Sequence, residues 1–278
     1  FSKINCSLQI GLQSASEEVL KTVNRSFNKK DFIKKISILN DYGIIFGFDL
    51  IYGLPKDNYE GFKNSIDFAI SLYPNHIELF CLSVLPGTSL YDDANKLNLK
   101  YNTHPPYHVI ESDTFSKLEI EKSRKISIAC NLFYSQGRAV TWFNSLIHLL
   151  KIKPSAFFEK FVLYLKNKKL LDKEFCNHKE IEKLQIDFIN QILSERNLSK
   201  YFILTKDIIM LNGALTRSYA DGEDTELSLS YHPDDLMSEY SQDLKFFLSN
   251  AQKFSCKILV KNNSIKFVNK SNNCWKIF

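Results

Sequence analysis

Several features that would assign a chain at once are missing from this sequence. No run of about eighteen uncharged apolar residues occurs, so no membrane-spanning helix is expected and a membrane is not among the predicted partners. Cysteine is dispersed: Cys6, Cys81, Cys130, Cys176, Cys256 and Cys274 each stand alone, none within four residues of another. Zinc sites and iron–sulfur loops are read from clustered thiols, so no metal-ligating motif is legible. Solitary cysteines of this kind read as buried small hydrophobes, kept reduced in a cytoplasmic protein. A basic block interleaved with aromatics is also lacking. The net charge of +5 comes from lysines spread among acidic residues, and nucleic acid is not indicated. No initiator Met and no signal peptide precede Phe1, which points to a processed or truncated chain.

What is present is ample apolar material. At 278 residues, 44% hydrophobic and with 22 Phe, the chain can bury one large core or two ordinary ones. Its centre is Phe48-Asp49-Leu50-Ile51-Tyr52-Gly53-Leu54-Pro55, an apolar run with a single carboxylate. Strand alternation puts Phe46, Phe48, Leu50 and Tyr52 on one face and Ile45, Gly47, Asp49, Ile51 and Gly53 on the other. An ionised Asp inside a strand is costly unless something satisfies it. Either a core cation pairs with Asp49, or Asp49 faces a ligand at the mouth of a parallel barrel.

Ahead of this run, Ser7–Gln13 reads as a strand with Leu8, Ile10 and Leu12 on one face and Gln9, Gly11 and Gln13 on the other. Ser14 and Glu17 have capping-box spacing. Helices are expected over Glu17–Arg25 and Lys30–Asp41, then the strand Ile44–Gly53. Asp57 and Glu60 form a second capping-box pattern before a helix from Glu60 to Leu72, and the strand His76–Val84 leads into Leu85-Pro86-Gly87. Alternating strands and helices predict right-handed βα units and a parallel sheet. From residue 100 the pattern changes. Tyr101–Ile110 reads as linker. Leu118–Tyr134, Trp142–Leu150, Pro154–Lys168 and Lys179–Glu195 read as helices, Glu226–Tyr231 as a strand and Asp235–Ala251 as a helix. Lys257–Val260 and Ile265–Val268 read as a hairpin across Asn262-Asn263.

These residues, in this order, resemble the second half of a radical S-adenosylmethionine (SAM) barrel. Ile10-Gly11-Leu12-Gln13-Ser14 is similar to the family's fourth strand and Leu20–Arg25 to the helix after it. Asp49–Pro55 is similar to the fifth strand, and Val84-Leu85-Pro86-Gly87-Thr88 to the end of the sixth. The likeness is to cobalamin-binding-type radical SAM proteins and to oxygen-independent coproporphyrinogen oxidases. Pro105-Pro106-Tyr107 and the following helices resemble a C-terminal domain of unknown function found on some of them. The resemblance implies an α/β fold: a partial TIM-like parallel βα barrel over residues 1–99, then a mostly helical domain with a small β element over residues 100–278.

It also implies SAM binding at Gln13, Arg25, Asp49 and Ile51. Arg25 offers a planar fork for the α-carboxylate, Asp49 an acceptor for ribose hydroxyls, Gln13 a donor and acceptor together, and Ile51 an apolar wall for adenine. The family's [4Fe–4S] cluster needs Cys-x₃-Cys-x₂-Cys, and its loop would lie upstream, roughly 90–110 residues before Gln13 by the size of three βα units. The missing N-terminal half of the barrel is therefore an expected partner, any cobalamin domain would lie upstream as well, and no catalytic or metal residue is expected here. The substrate is not legible. The alternative is a non-catalytic barrel relative that keeps a nucleotide pocket for binding or scaffolding.

Overall fold

Ile45–Tyr52 forms a strand (β2) whose alternation organises the first part of the fold. Phe46, Phe48, Leu50 and Tyr52 are all 5% exposed or less, while Asp49 and Ile51 between them are only partly covered. The computed structural model describes residues 6–175 and 177–268, so Cys176 and Cys274 lie outside the described residues. β2 is the middle of three parallel strands, with Ser7–Gln13 (β1) on one side and His76–Cys81 (β3) on the other. In register, Gly11 stands opposite Asp49, and Asp49 opposite Glu78.

Glu17–Thr22 (α1) and Lys29–Asp41 (α2) join β1 to β2, and Tyr59–Ile70 (α3) joins β2 to β3. The helices cover the aromatic face. Phe32 of α2 lies 5.6 Å from Phe48, and Phe62 of α3 lies 5.4 Å from Tyr52, ring centroid to centroid. Each fully buried ring of this kind contributes about 2–3 kcal/mol by leaving water. The other face carries Gln9, Gly11, Gly47, Asp49, His76 and Glu78. The class is thus α/β with a parallel sheet, and the described residues form an open three-stranded sheet rather than a closed barrel.

Both capping expectations are corrected by one or two residues. Ser16, not Ser14, caps α1 by accepting from the Val19 amide; Ser14 is buried and accepts from the Ser16 amide instead. Asn58, not Asp57, caps α3. Asp57 turns inward, accepts from the Asn58 amide and leaves its Oδ2 buried without a hydrogen-bond partner.

After Ser89–Asp93 (α4), the expected linker Tyr101–Ile110 is in fact bound into a short antiparallel pair, Lys100–Tyr101 (β4) with Val109–Glu111 (β5). Burial of Val109 among Leu54, Leu82 and Val84 fixes it there, and the Val109 amide donates to the Leu82 carbonyl at 2.8 Å. The helix expected to reach Tyr134 runs over Lys117–Cys130 (α5) and then widens into a π-helical turn, Asn131–Gln136. That turn lets the Tyr134 hydroxyl donate to the Pro74 carbonyl at 2.7 Å and Ser135 bond to both backbone groups of Ile77.

The chain divides into two compact units. The first runs to Ser135 and takes in Lys153–Leu171, which holds Pro154–Asn167 (α7). The second comprises Gln136–Ile152, with Phe143–Leu150 (α6), and the chain from Asp172. None of the crossing points falls at residue 99, where the βα alternation stops, because α5 packs on β3 and α7 packs on α3 and α5. Ser127 donates to the Leu79 carbonyl of β3, Asp67 of α3 accepts from Ser155 at the start of α7, and Phe133 and Phe157 lie 4.8 Å apart.

In the second unit, His178–Glu195 (α8) packs on Phe202–Asp221 (α9). No helix was expected over α9, although it is twenty residues long. Its buried face mixes Leu204, Ile208 and Leu211 with Thr205, Asp207, Arg217 and Ser218, which dilutes the apolar period. Thr225–Leu229 (β6), Cys256–Lys261 (β7) and Ser264–Phe267 (β8) form an antiparallel sheet. The hairpin turns at Asn262 and Asn263, both at positive φ as a two-residue turn demands. The helix expected over Asp235–Ala251 is broken into Pro233–Met237 (α10) and Leu244–Asn250 (α11), because Ser238 and Asp243 are extended and Asp243 caps α11.

The second unit has a charged interior. Arg217 Nη1 donates to Glu182 at 2.6 Å and to His178 Nδ1 at 2.9 Å, so the imidazole is neutral and its Nε2–H faces the Gly137 carbonyl at 3.3 Å. Burial, with Arg138 nearby, pushes His178 down to about 4.

Candidate functional site

The C-terminal end of the sheet is built round Gly11. A β-bulge between Gly11 and Gln13 breaks the register with β2, and Gln13 takes φ +64°. Bulges re-aim side chains, and here Gln13 folds back over Gly11: a Cβ on Gly11 would stand 2.6 Å from Gln13 Nε2 and 3.5 Å from Arg25 Nη1. Arg25, two residues past the C-cap of α1, reaches the same spot and donates from Nη1 to the Gly11 carbonyl at 2.7 Å. The guanidinium is exposed, and its Nε and Nη2 donate to no other described residue.

Asp49 lies on the same sheet face, opposite Gly11, and does not turn toward the helices. Its Oδ1 accepts from Gln9 Nε2, and Gln9 Oε1 in turn meets His76 Nε2 at 2.5 Å. The imidazole reaches across β2 because Gly47 leaves room; a Cβ there would stand 2.1 Å from Nε2. A polar chain, His76–Gln9–Asp49, therefore crosses all three strands. Alternation along β1 already placed Gln9 on this face, but nothing local says that its amide would occupy Asp49.

A cavity of about 220 Å³ opens beside these groups, lined by Gln13, Thr22, Asn24, Arg25, Ile51, Leu54, Leu82 and Asp93, among others. Three of the four residues expected to share a site, Gln13, Arg25 and Ile51, line it together; Asp49 adjoins Gly11 but is not part of the lining. Thr22, Asn24 and Asp93 join it without having been foreseen. Ligand pockets commonly hold about 300–1,000 Å³, so this cavity is smaller than a nucleotide-sized ligand needs. A guanidinium, an amide and a carboxylate beside an apolar wall suit an aminocarboxylate joined to a nucleoside.

Polar side chains of the segment after β3 have structural partners: Glu111 pairs with Lys100 at 2.6 Å and Asp113 accepts from Asn98, while the backbone of His108 forms a β-bridge with Ser83. Cys6, Cys81, Cys130 and Cys256 are free thiols, with Cys81 pushed up to about 11 by burial and Cys130 further still. No group of three His, Cys, Asp or Glu among the described residues is placed to hold a metal ion, so they do not fit a [4Fe–4S] cluster. Among the same residues no helix is long and apolar enough to cross a membrane.

Residues 95–273 match the family described as "Protein of unknown function (DUF4080)". The chain belongs to that family. Over 135 residues, 49% of the chain and 35% of the relative, it is 27% identical to the heme chaperone HemW of Buchnera aphidicola subsp. Schizaphis graminum. It is 32% identical over 80 residues, 28% of the chain and 18% of the relative, to the oxygen-independent coproporphyrinogen III oxidase of Helicobacter pylori. A third relative is the tRNA-2-methylthio-N(6)-dimethylallyladenosine synthase of a Sulfurihydrogenibium species, 26% identical over 88 residues, 31% of the chain and 20% of the relative. In each case the chain spans about a third or less of the relative's length. These are radical SAM proteins, and the chain is related to them. SAM and a [4Fe–4S] cluster are the cofactors of that relation at family level.

Proposed function

We propose that this chain is the C-terminal part of a radical SAM enzyme, and that the end of its parallel sheet holds SAM. Arg25 takes the α-carboxylate, Gln13 the aminocarboxylate or a ribose edge, Ile51 the adenine, and Asp49 a ribose hydroxyl through the oxygen that Gln9 leaves open. The observation that carries this reading is the meeting of Gln13, Arg25 and Ile51 on one cavity from β1, the turn after α1 and β2. In this reading residues 1–99 are the second half of the barrel and residues 100–278 the family domain, whose match begins at residue 95. The cluster ligands, the first half of the barrel and any cobalamin domain belong to the full-length protein, and β1, an edge strand among the described residues, pairs there with further strands. SAM cleavage to a 5′-deoxyadenosyl radical in the cytoplasm, acting on a small or unidentified substrate, completes the proposal.

Saturation-transfer NMR with SAM tests the site on this chain. Transfer to SAM protons is expected and should disappear in Arg25→Ala. Asp49→Asn keeps one acceptor and converts the other to a donor, a loss of roughly 1.5–3 kcal/mol, or about ten- to a hundredfold in affinity. Unchanged affinity in both variants would overturn the reading. A second reading is a non-catalytic nucleotide-binding or scaffold module, which keeps the same pocket without a cluster. Anaerobic reconstitution of the full-length protein separates the two: iron uptake with 5′-deoxyadenosine on reduction supports the enzyme, and binding without either supports the module.

A further inference from the structure

We propose that the groove between α5 and α7, within the first unit and independent of the SAM reading, is a docking site for an acidic amphipathic helix of a partner protein. The groove encloses about 590 Å³. Its floor is apolar, with Ile126, Ala156 and Val162. Leu118 and Leu163 stand in its lining 65% and 59% exposed, with no described residue covering them. Leu118, Lys122 and Ile126 fall every fourth residue on α5; Ala156, Lys160, Leu163 and Lys166 follow the same three-or-four spacing on α7. At about 1.5 Å of rise per residue these rows are about 12–15 Å long, which is two to three turns of a helix laid along them.

Charge decides the kind of occupant. Lys122, Lys125, Lys160 and Lys166 line the groove against a single carboxylate, Glu159. Glu159 already accepts from the Tyr59 hydroxyl at 2.8 Å and faces Lys63 at 3.3 Å. Lys125 pairs with Glu121 at 3.2 Å. Among the described residues Lys122, Lys160 and Lys166 form no ion pair, and Lys122 rests over the Tyr59 ring. A purely apolar segment would strip water from these ammonium groups without replacing it, and a basic one would be repelled. A helix with an apolar stripe flanked by Asp and Glu satisfies both floor and walls. A groove lined along two helices fits such a helix better than the flat surface of a bilayer.

The test is fluorescence anisotropy of the full chain with a labelled stapled helix of about three turns, leucines on one face and glutamates on both flanks. Its twin carries lysines for the glutamates. The acidic helix should bind, weaken steeply as salt rises, and lose about tenfold or more in Leu163→Glu and in Lys122→Glu/Lys160→Glu. The lysine twin should be rejected by the native chain and accepted by the doubly reversed one, which also certifies that this variant is folded. Equal binding of both twins, no effect of the reversals, or no binding of the acidic helix would overturn the proposal. So would preference for anionic vesicles over the helix, or self-association of the chain that Leu163→Glu abolishes.

Discussion

The two compact units place their polar groups oppositely. In the sheet unit the interior is aromatic and aliphatic apart from Asp57 and a few serines, and the polar groups that cooperate, Gln9, Asp49, His76, Gln13 and Arg25, lie on the face the helices leave open. In the second unit they lie inside: Arg217 and Glu182 are bonded with side chains only 3% and 12% exposed, beside a neutral His178. Polar groups on an open face retain donors and acceptors for a ligand, whereas a closed network spends them on itself. The difference explains why the candidate site is in the first unit although the second holds more buried ionisable groups.

The comparison breaks most severely where each interior is cut. Phe48→Ala should cost about 3–5 kcal/mol, since the ring is fully buried between α2 and β2 and its cavity cannot close. Urea denaturation reads it, and a cost under 1 kcal/mol would contradict the core assignment. Arg217→Met should cost a similar 3–5 kcal/mol by leaving Glu182 buried without its cation, while Arg217→Met with Glu182→Leu should recover most of the loss. Equal losses in the single and double variants would show that packing, not charge, holds that interior.

A smaller effect separates the units by pH. Burial pushes Asp57, in the sheet unit, up to about 6, whereas His178 is pushed down to about 4. The unfolded Asp releases its proton near 3.8 and the folded one near 6, so its contribution to stability is present at low pH and is lost as pH rises across that window. The unfolded His takes a proton near 6.5 and the folded one only near 4, so its contribution is present above 6.5 and is lost as pH falls toward 4. Each swing is at most roughly 3–3.5 kcal/mol by linkage, about two to two and a half pH units at 1.4 kcal/mol each. Hydrogen exchange at pH 4.5 and 6.5 should therefore move the amides of α3 and α8 in opposite directions, and Asp57→Asn should flatten the α3 response alone. Parallel movement of both would sink the contrast.

The smallest effect should be common to both units. Asn58 caps α3 and Asn177 caps α8 by the same side-chain bond, so Asn58→Ala and Asn177→Ala should each cost about 1 kcal/mol in thermal melts. A threefold disparity between them would mean that one cap also supports tertiary contacts.

What was readable in advance follows the range of each signal. The alternation in Ile44–Gly53 located β2 within a residue at each end and assigned Asp49 to the face away from the helices, because a strand's two faces are set by neighbours one position apart. Asn262-Asn263 located a hairpin for the same reason. The helix over Phe202–Asp221 was not readable, since Asp207 and Arg217 on its inner face are satisfied by Ser230 and Glu182, which local periodicity does not register.

At the candidate site the division is the same. The order of residue types from Ile10 to Pro55 determined which groups stand at the sheet end: an amide at Gln13, a guanidinium at Arg25, a carboxylate at Asp49 and an apolar wall at Ile51. The tertiary structure alone decided their use. It folds Gln13 over Gly11 through a bulge, bonds Arg25 to the Gly11 carbonyl and gives one oxygen of Asp49 to Gln9, forty residues away. Sequence pattern sets which face a side chain takes because that depends on its own backbone. Which partner it meets depends on strands brought alongside it by packing, and no local pattern carries that.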